Sequence, residues 1–292
     1  MGSIEECDVV VVGAGFGGLY SLYLLRQEGF NVKGLERGTG VGGTWYWNRY
    51  PGARCDVESL QYSYSFDPEL EQEWEWTERY AGQPEILKYA EHVSDRFDLE
   101  SLIEFNTTVE AADYDEITST WTVSTNRDTY QARFLVAATG CLSTTNLPDF
   151  EGLANFKGDV YHTGRWPHET VDFSGQRVAV VGTGSSAVQA IPVIAEQASE
   201  LTVFQRTPNY SVPARNEPLD AAIQAETKEN YAELRQAARV ERSGIISIFP
   251  PNEDSAKQAD DSEFDARMDE RWEHGGFGFY RAYADIGIDQ TS

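Results

Sequence analysis

Residues 7–12 read CDVVVV, a short and almost wholly apolar run. A strand covered on both faces has this pattern, because no polar alternation is needed where neither face meets water. Gly13, Gly15 and Gly18 follow at once, and Leu19, Leu24 and Leu25 then recur at the spacing of one helix face. A second strand closes at Glu36, 23 residues after Gly13. The same order returns later. Residues 177–181 (RVAVV) predict a strand, Gly182, Gly184 and Ala187 a G-x-G-x-x-A turn, residues 185–195 a helix, and residues 201–204 another strand. Between the two units, WTVSTNRDTYQARFLVAATG reads as a hairpin whose last strand, 134–138, feeds back into the first sheet and ends at Thr139-Gly140. From Glu217 onward the pattern is polar, acid-rich and helical, with no returning strand.

Strand, crossover helix and strand in alternation give an α/β fold. The expectation is two Rossmann-like dinucleotide-binding domains, the second inserted in the first. The expected boundaries are 1–150 for the first domain, 151–176 for a linker, 177–216 for the start of the second domain and 217–292 for its helical segment. A domain of this build needs further strands after the pair at 177–204. The pattern therefore reads as truncated at FYRAYADIGIDQTS, with a C-terminal portion missing.

Charge removes several function classes. The 48 acidic residues outnumber the 23 basic ones, for a net charge of −25. Nucleic acid and anionic membrane would repel such a surface, so neither is an expected partner. Two readings of the acidity stand side by side: a soluble acidic surface, or adaptation to high salt, where screening relieves self-repulsion. No window approaches the ~18 apolar residues of a membrane span. The start MGSIEECD lacks the basic residues of a secretory leader, and Glu6 stands where a myristoylation signal carries Ser or Thr. A soluble, cytoplasmic protein is expected. Cys7, Cys55 and Cys141 are too few and too scattered for a disulfide framework or a metal cluster, so no metal is expected.

The glycines have separable tasks: a tight turn, close approach of backbone to pyrophosphate, and close packing of helix on strand. The helix N-terminus behind them stabilises phosphate charge. In the first unit Gly13, Gly15 and Gly18 are the candidate cradle, and Glu36 stands where a carboxylate accepts from ribose hydroxyls. That combination suits FAD. In the second, Thr183, Gly184, Ser185, Ser186 and Ala187 form the candidate cradle, and the strand ends in Gln205, Arg206 and Thr207. An acid would repel a 2′-phosphate whereas Arg206 can pair with it, so this unit favours NADPH over NADH. A solvated surface arginine is the alternative for Arg206. Two such sites in one polypeptide imply hydride transfer from nicotinamide to flavin.

The stretch FKGDVYHTGRWP carries the pattern F-x-G-x-x-x-H-T-x-x-W-P through Phe156, Gly158, His162, Thr163, Trp166 and Pro167. It resembles the fingerprint of the Baeyer-Villiger monooxygenases, flavoproteins that use NADPH and O2 to convert ketones to esters or lactones. The resemblance makes this ribbon the linker between the FAD and NADPH domains. Flavin-containing monooxygenases carry a similar pattern with a different ending. GGTWYWNRYPGARCDVES, residues 42–59, also resembles this family, and closely the phenylacetone and cyclohexanone monooxygenase group. The resemblance implies that Thr44, Trp45, Tyr46, Trp47, Asp56 and Tyr62 line the FAD and that Arg54, Cys55 and Asp56 also lie near the nicotinamide. Core packing is the alternative for the aromatic rings.

The resemblance further implies Asp56 as the catalytic carboxylate, tuning an arginine that stabilises a negative intermediate. That arginine is expected from a later part of the fold and is not identified in this chain. An N-terminal helix cap on DVESLQYSYS is the competing role for Asp56. Competing functions are heteroatom oxygenation, NADPH oxidation, and dinucleotide binding without catalysis.

Overall fold

The computed structural model describes residues 4–241, 243–249 and 252–286. Contacts divide the chain into two compact units, residues 1–53 with 83–204, and residues 54–82 with 205–292. This division differs from the boundaries expected at 150, 176 and 216. Both glycine turns and the ribbon between them fall in the first unit. Segment 54–82 leaves it to fold with residues distant in sequence.

The first unit is built on a six-stranded sheet in the order β3-β2-β1-β6-β5-β4. Its strands are β1 (Ile4–Val12), β2 (Val32–Leu35), β3 (Ile103–Glu104), β4 (Val109–Asp115), β5 (Thr120–Thr125) and β6 (Thr129–Ala137). β1 runs parallel to β2 on one side and to β6 on the other. The apolar run sits centrally as a result, and Val9, Val10 and Val11 are at most 1% exposed. β5 pairs antiparallel with both β4 and β6, so the expected hairpin delivers β6 back beside β1. β1 begins three residues earlier than the apolar run, because Ile4, Glu5 and Glu6 extend the ladder on β6 while remaining exposed.

Helix α1 (Phe16–Gln27) crosses from β1 to β2 and buries Leu19 and Leu22. Helices α2 (Thr44–Trp47), α3 (Pro68–Glu73) and α4 (Gln83–Arg96) follow. The second strand pair is β7 (Arg177–Val181) and β8 (Glu200–Phe204), parallel and linked by α5 (Ser185–Gln197). Among the described residues, no strand after β8 joins either sheet.

In the second unit, residues 54–82 run against 205–286. The Arg79 N–H donates to the Glu217 carbonyl (2.9 Å), and the Leu219 N–H donates to the Thr77 carbonyl (2.9 Å). Helices α6 (Ala221–Glu229), α7 (Tyr231–Val240) and α8 (Asp261–His274) complete the unit. The Tyr231 hydroxyl donates to the Leu60 carbonyl at 3.0 Å, and Arg235 holds Glu71 at 2.9 Å while donating to the Gln61 carbonyl and the Ser63 hydroxyl.

Candidate dinucleotide sites

The first turn is shaped by backbone contacts. Gly13 leaves β1 at φ +102°, and its N–H donates to the Leu35 carbonyl at the end of β2 (2.8 Å). A side chain at Gly13 would place its Cβ 2.5 Å from the Ala138 carbonyl oxygen, so the segment after β6 closes directly on the turn. A Cβ at Gly18 would overlap the Gly13 carbonyl, which is why α1 can seat this low on the strand.

Glu36 follows β2 at 6% exposure. Its Oε2 accepts from the Ala14 N–H (2.8 Å) and its Oε1 from the Gly38 N–H (2.7 Å). Each carboxylate oxygen has a second lone pair, so the capacity to accept from a ribose hydroxyl is kept. Gly13, Gly15, Gly18 and Glu36 are thus brought together as the spacing predicts.

The turn after β7 repeats this geometry. Gly182 also has φ +102°, and its N–H donates to the Phe204 carbonyl at the end of β8, again at 2.8 Å. Gly15 and Gly184 occupy the N-cap positions of α1 and α5 with closely similar extended backbones, φ −78° and −71°. Neither helix has a side-chain cap or an acid in its first turn. Elsewhere the same acidic chain caps α3, α6 and α8 with Asp67, Asp220 and Asp260. The first N–H groups of α1 and α5 are therefore left for another acceptor, and both sites fit a pyrophosphate. Thr183, Ser185, Ser186 and Ala187 line up along this second turn, with Ser185 exposed and the other three half-buried.

In register, Glu36 directly follows β2 while the neutral Gln205 directly follows β8, and Arg206 comes next. Arg206 and Thr207 are exposed, and Arg206 makes no ion pair among the described residues. Both belong to the second unit.

The aromatic loop divides by burial. Trp45 and Tyr46 are core residues at 8% and 9% exposure, Trp47 is half-buried and Thr44 exposed. The Tyr46 hydroxyl accepts from the Thr39 N–H (3.0 Å), and the Arg37 guanidinium lies 4.6 Å over the Trp47 ring. His168 meets the Tyr46 ring at 4.9 Å, and burial together with the Arg49 charge lowers its pKa below the ordinary histidine value.

Arg54, Cys55, Asp56 and Tyr62 fold in the second unit. Arg54 Nη1 pairs with Glu78 (2.9 Å) and donates to the Tyr80 carbonyl (2.7 Å). Burial pushes the Cys55 thiol up to about 11, which makes it a poor nucleophile. Asp56 is exposed in a bend. The capping role is corrected by the fold: residues 57–66 form turns, the next helix is α3, and Asp67 caps it at 2.8 Å. The Asp-x-Glu spacing imitates a helix start, but the Cys55 and Ser59 N–H groups are committed to the Ala81 and Arg79 carbonyls, and only a single turn forms, in which the Glu58 carbonyl accepts from the Gln61 and Tyr62 N–H groups (2.9 and 3.0 Å).

Along the fingerprint, His162 Nδ1 accepts from the Gly164 N–H (3.0 Å) and closes a 3-10 turn over Thr163–Arg165. Trp166 packs with Phe173, Ala190 and Ile194 against α5 and β7, while Phe156 stays 61% exposed. Gly158 is exposed, and Pro167 follows Trp166 half-buried.

Two contacts escaped sequence reasoning. Gly43 packs its backbone against Gly15, and the Tyr50 hydroxyl donates to Gln189 Oε1 (2.8 Å), joining the first loop to α5. Neither carries a local signal, since each partner lies far away in the chain.

Residues 10–263 match the family model described as pyridine nucleotide-disulphide oxidoreductase. The chain is 45% identical over 292 residues to a Baeyer-Villiger monooxygenase of Pseudooceanicola batsensis, covering 98% of this chain and 53% of the relative. It is 41% identical to the phenazine N-monooxygenase PhzNO1 of Lysobacter antibioticus, again over 98% of this chain and 53% of the relative. Among solved structures, an oxidised steroid monooxygenase bound to NADP superposes with a TM-score of 0.92 at 55% identity, covering 98% of this chain and 55% of that one. The chain spans about half the length of the relatives it matches.

Proposed function

The chain belongs to the pyridine nucleotide-disulphide oxidoreductase family, and we propose that it forms the dinucleotide-binding part of a monooxygenase that uses FAD, NADPH and O2 to turn ketones into esters or lactones. One observation carries the reading. The strand, glycine turn and uncapped helix are built twice with the same backbone geometry, once ahead of Glu36 and once ahead of Gln205-Arg206. Glu36 suits a ribose diol and Arg206 a 2′-phosphate, so the first turn takes FAD and the second NADPH. Bound there, the two cofactors supply hydride transfer and oxygen activation. The protein's tasks are to hold the pyrophosphates on α1 and α5, keep water from the flavin face with Trp45, Tyr46 and Trp47, and place a charge beside the ketone. Asp56 is the carboxylate assigned to that last task. The 151–176 ribbon acts as the linker between the two cofactor domains.

The experiment uses this chain completed with the unmatched part of the Pseudooceanicola batsensis relative. The expected result is FAD retention and NADPH-dependent conversion of a cyclic ketone to its lactone. Asp56→Ala keeps the flavin and the fold but lowers lactone formation ~10²-fold, as removal of a transition-state stabiliser does. Lactone formation unchanged in that variant rejects the role of Asp56, and NADPH oxidation without lactone in the parent rejects the reaction.

A second reading, oxygenation at nitrogen, is favoured by the similarity to the phenazine N-monooxygenase. Supplying a tertiary amine in place of the ketone separates the two. The net charge of −25 supports a high-salt habitat and the three free cysteines a reducing cytoplasm. If the acidity is a salt adaptation, Tm rises by many degrees between dilute buffer and molar KCl as self-repulsion is screened. A Tm unmoved by KCl leaves an ordinary acidic surface.

A further inference from the structure

Residues 42–52 run from the first glycine turn to the helix behind the second. At the near end the Gly42 N–H donates to the Ala14 carbonyl (2.9 Å), and a Cβ on Gly43 would stand 2.7 Å from the Gly15 Cα. Helix α2 lies between the ends, and Arg49 Nε donates to the Tyr46 carbonyl (2.8 Å), which keeps the stretch after it folded. At the far end the Tyr50 hydroxyl donates to Gln189 Oε1 (2.8 Å), and the Tyr50 side chain packs on the cluster of Phe173, Ala190 and Ile194. Gly52, at φ +76°, lies so close to α5 that a Cβ there would strike the Gln189 carbonyl.

Helix α5 needs such a brace. It is packed on a sheet of two strands, and Pro192 interrupts it. Proline has no N–H for the carbonyl four residues back, here that of Val188, and its ring crowds that carbonyl, so the helix is softest at this point. Gln189 lies between Pro192 and the N-cap Gly184, on the segment whose first N–H groups are open to a pyrophosphate. Hydrogen bonds weaken steeply as their angle opens, so the direction of this segment decides how well it holds an anion.

We propose that Tyr50 is a positioning residue for the second dinucleotide: through Gln189 it holds the N-terminal turn of α5 where its N–H groups meet the pyrophosphate. The inference rests on the NADPH assignment above and adds to it a dependence of the second cradle on the loop that leaves the first.

Calorimetric titration of the 292-residue chain compares NADP+ with adenosine 2′-monophosphate, which carries the 2′-phosphate but no pyrophosphate. A wild-type chain that binds neither removes the NADPH assignment and this inference with it. Tyr50→Phe keeps the ring and deletes the hydroxyl. It is expected to weaken NADP+ by about 2- to 10-fold, the range of one neutral hydrogen bond, and to leave the monophosphate unchanged. Gln189→Leu should weaken NADP+ equally, and the double variant no more than either single one, because all three lose the same bond. Near-UV circular dichroism checks each fold, and if Gln189→Leu unfolds, the two ligands of Tyr50→Phe decide the matter. A residue that merely stabilises the fold would leave both affinities of the folded chain unmoved or weaken both alike. Either of those results in Tyr50→Phe, or additive losses in the double variant, overturns the proposal while leaving the NADPH assignment in place.

Discussion

The turn after β1 and the turn after β7 share a backbone, yet they sit in opposite surroundings. β1 is flanked by β2 and β6, and Val9, Val10 and Val11 are sealed. β7 has a single neighbour, and Val181 and Phe204 are 63% and 57% exposed. At Gly13 an added Cβ strikes the chain after β6, but at Gly182 it meets nothing within 4 Å. The phosphate-binding shape is therefore a property of the local sequence, since it forms equally on a six-stranded sheet and on a two-stranded one. What the surroundings add is resistance to change.

The largest effect that would sharpen this contrast comes from paired alanines. Gly13→Ala forces a positive φ and displaces backbone, so it should cost more than about 4 kcal/mol or prevent folding. Gly182→Ala carries only the dihedral strain, about 1–3 kcal/mol. Urea denaturation of the two variants measures the difference, and equal losses would break the comparison.

The residues that close each second strand give a smaller effect. Glu36→Ala leaves the Ala14 and Gly38 N–H groups without their acceptor, at about 1–3 kcal/mol each where buried, and should abolish FAD retention. Arg206→Ala should change stability by less than about 0.5 kcal/mol, because its side chain is exposed and unpaired among the described residues. Its effect should appear in NADPH affinity, lowered by about 1.5–3 kcal/mol relative to NADH. Titration of both nucleotides checks this. An Arg206→Ala variant that loses NADH and NADPH equally would contradict the ribose-phosphate assignment.

The smallest effect concerns protons. His168 lies against the Tyr46 and Trp47 rings of the first region, with its pKa lowered by burial and by Arg49. The unfolded state then binds the proton more readily than the folded one. Its contribution to stability is complete above the ordinary value of about 6.5 and is lost as pH falls through the lower folded value. His168→Gln should flatten the fall in Tm between pH 7 and pH 5. An unchanged slope would remove His168 from the account.

Much of the first region was legible because its signals are local. A Val run, glycine spacing and a carboxylate placed 23 residues on need no knowledge of distant contacts, and β1, α1, β2 and the Glu36 position follow from them. Strand β7 and the start of α5 were legible for the same reason. The separation of 54–82 into the second unit was not, because its partners at Glu217, Gln224 and Tyr231 lie far along the chain. The same distance hid the contact of Arg79 with His274. Asp56 shows the opposite failure: the local pattern suggests a helix start, and non-local backbone bonds override it.

The interleaving of the two units also sets a timetable for synthesis. Residues 54–82 leave the ribosome carrying Leu60, Leu70 and Trp76, all buried in the finished fold, but their partners begin only at residue 205. At roughly 5–20 residues per second, the intervening stretch of about 120 residues takes on the order of 6–25 s to emerge. For that interval a nascent segment with two tryptophans waits without its cover, while the first sheet gains its last strand, β6, before the interval is half over. The second unit is thus the stage at which a chaperone, or a slower codon, has most to protect.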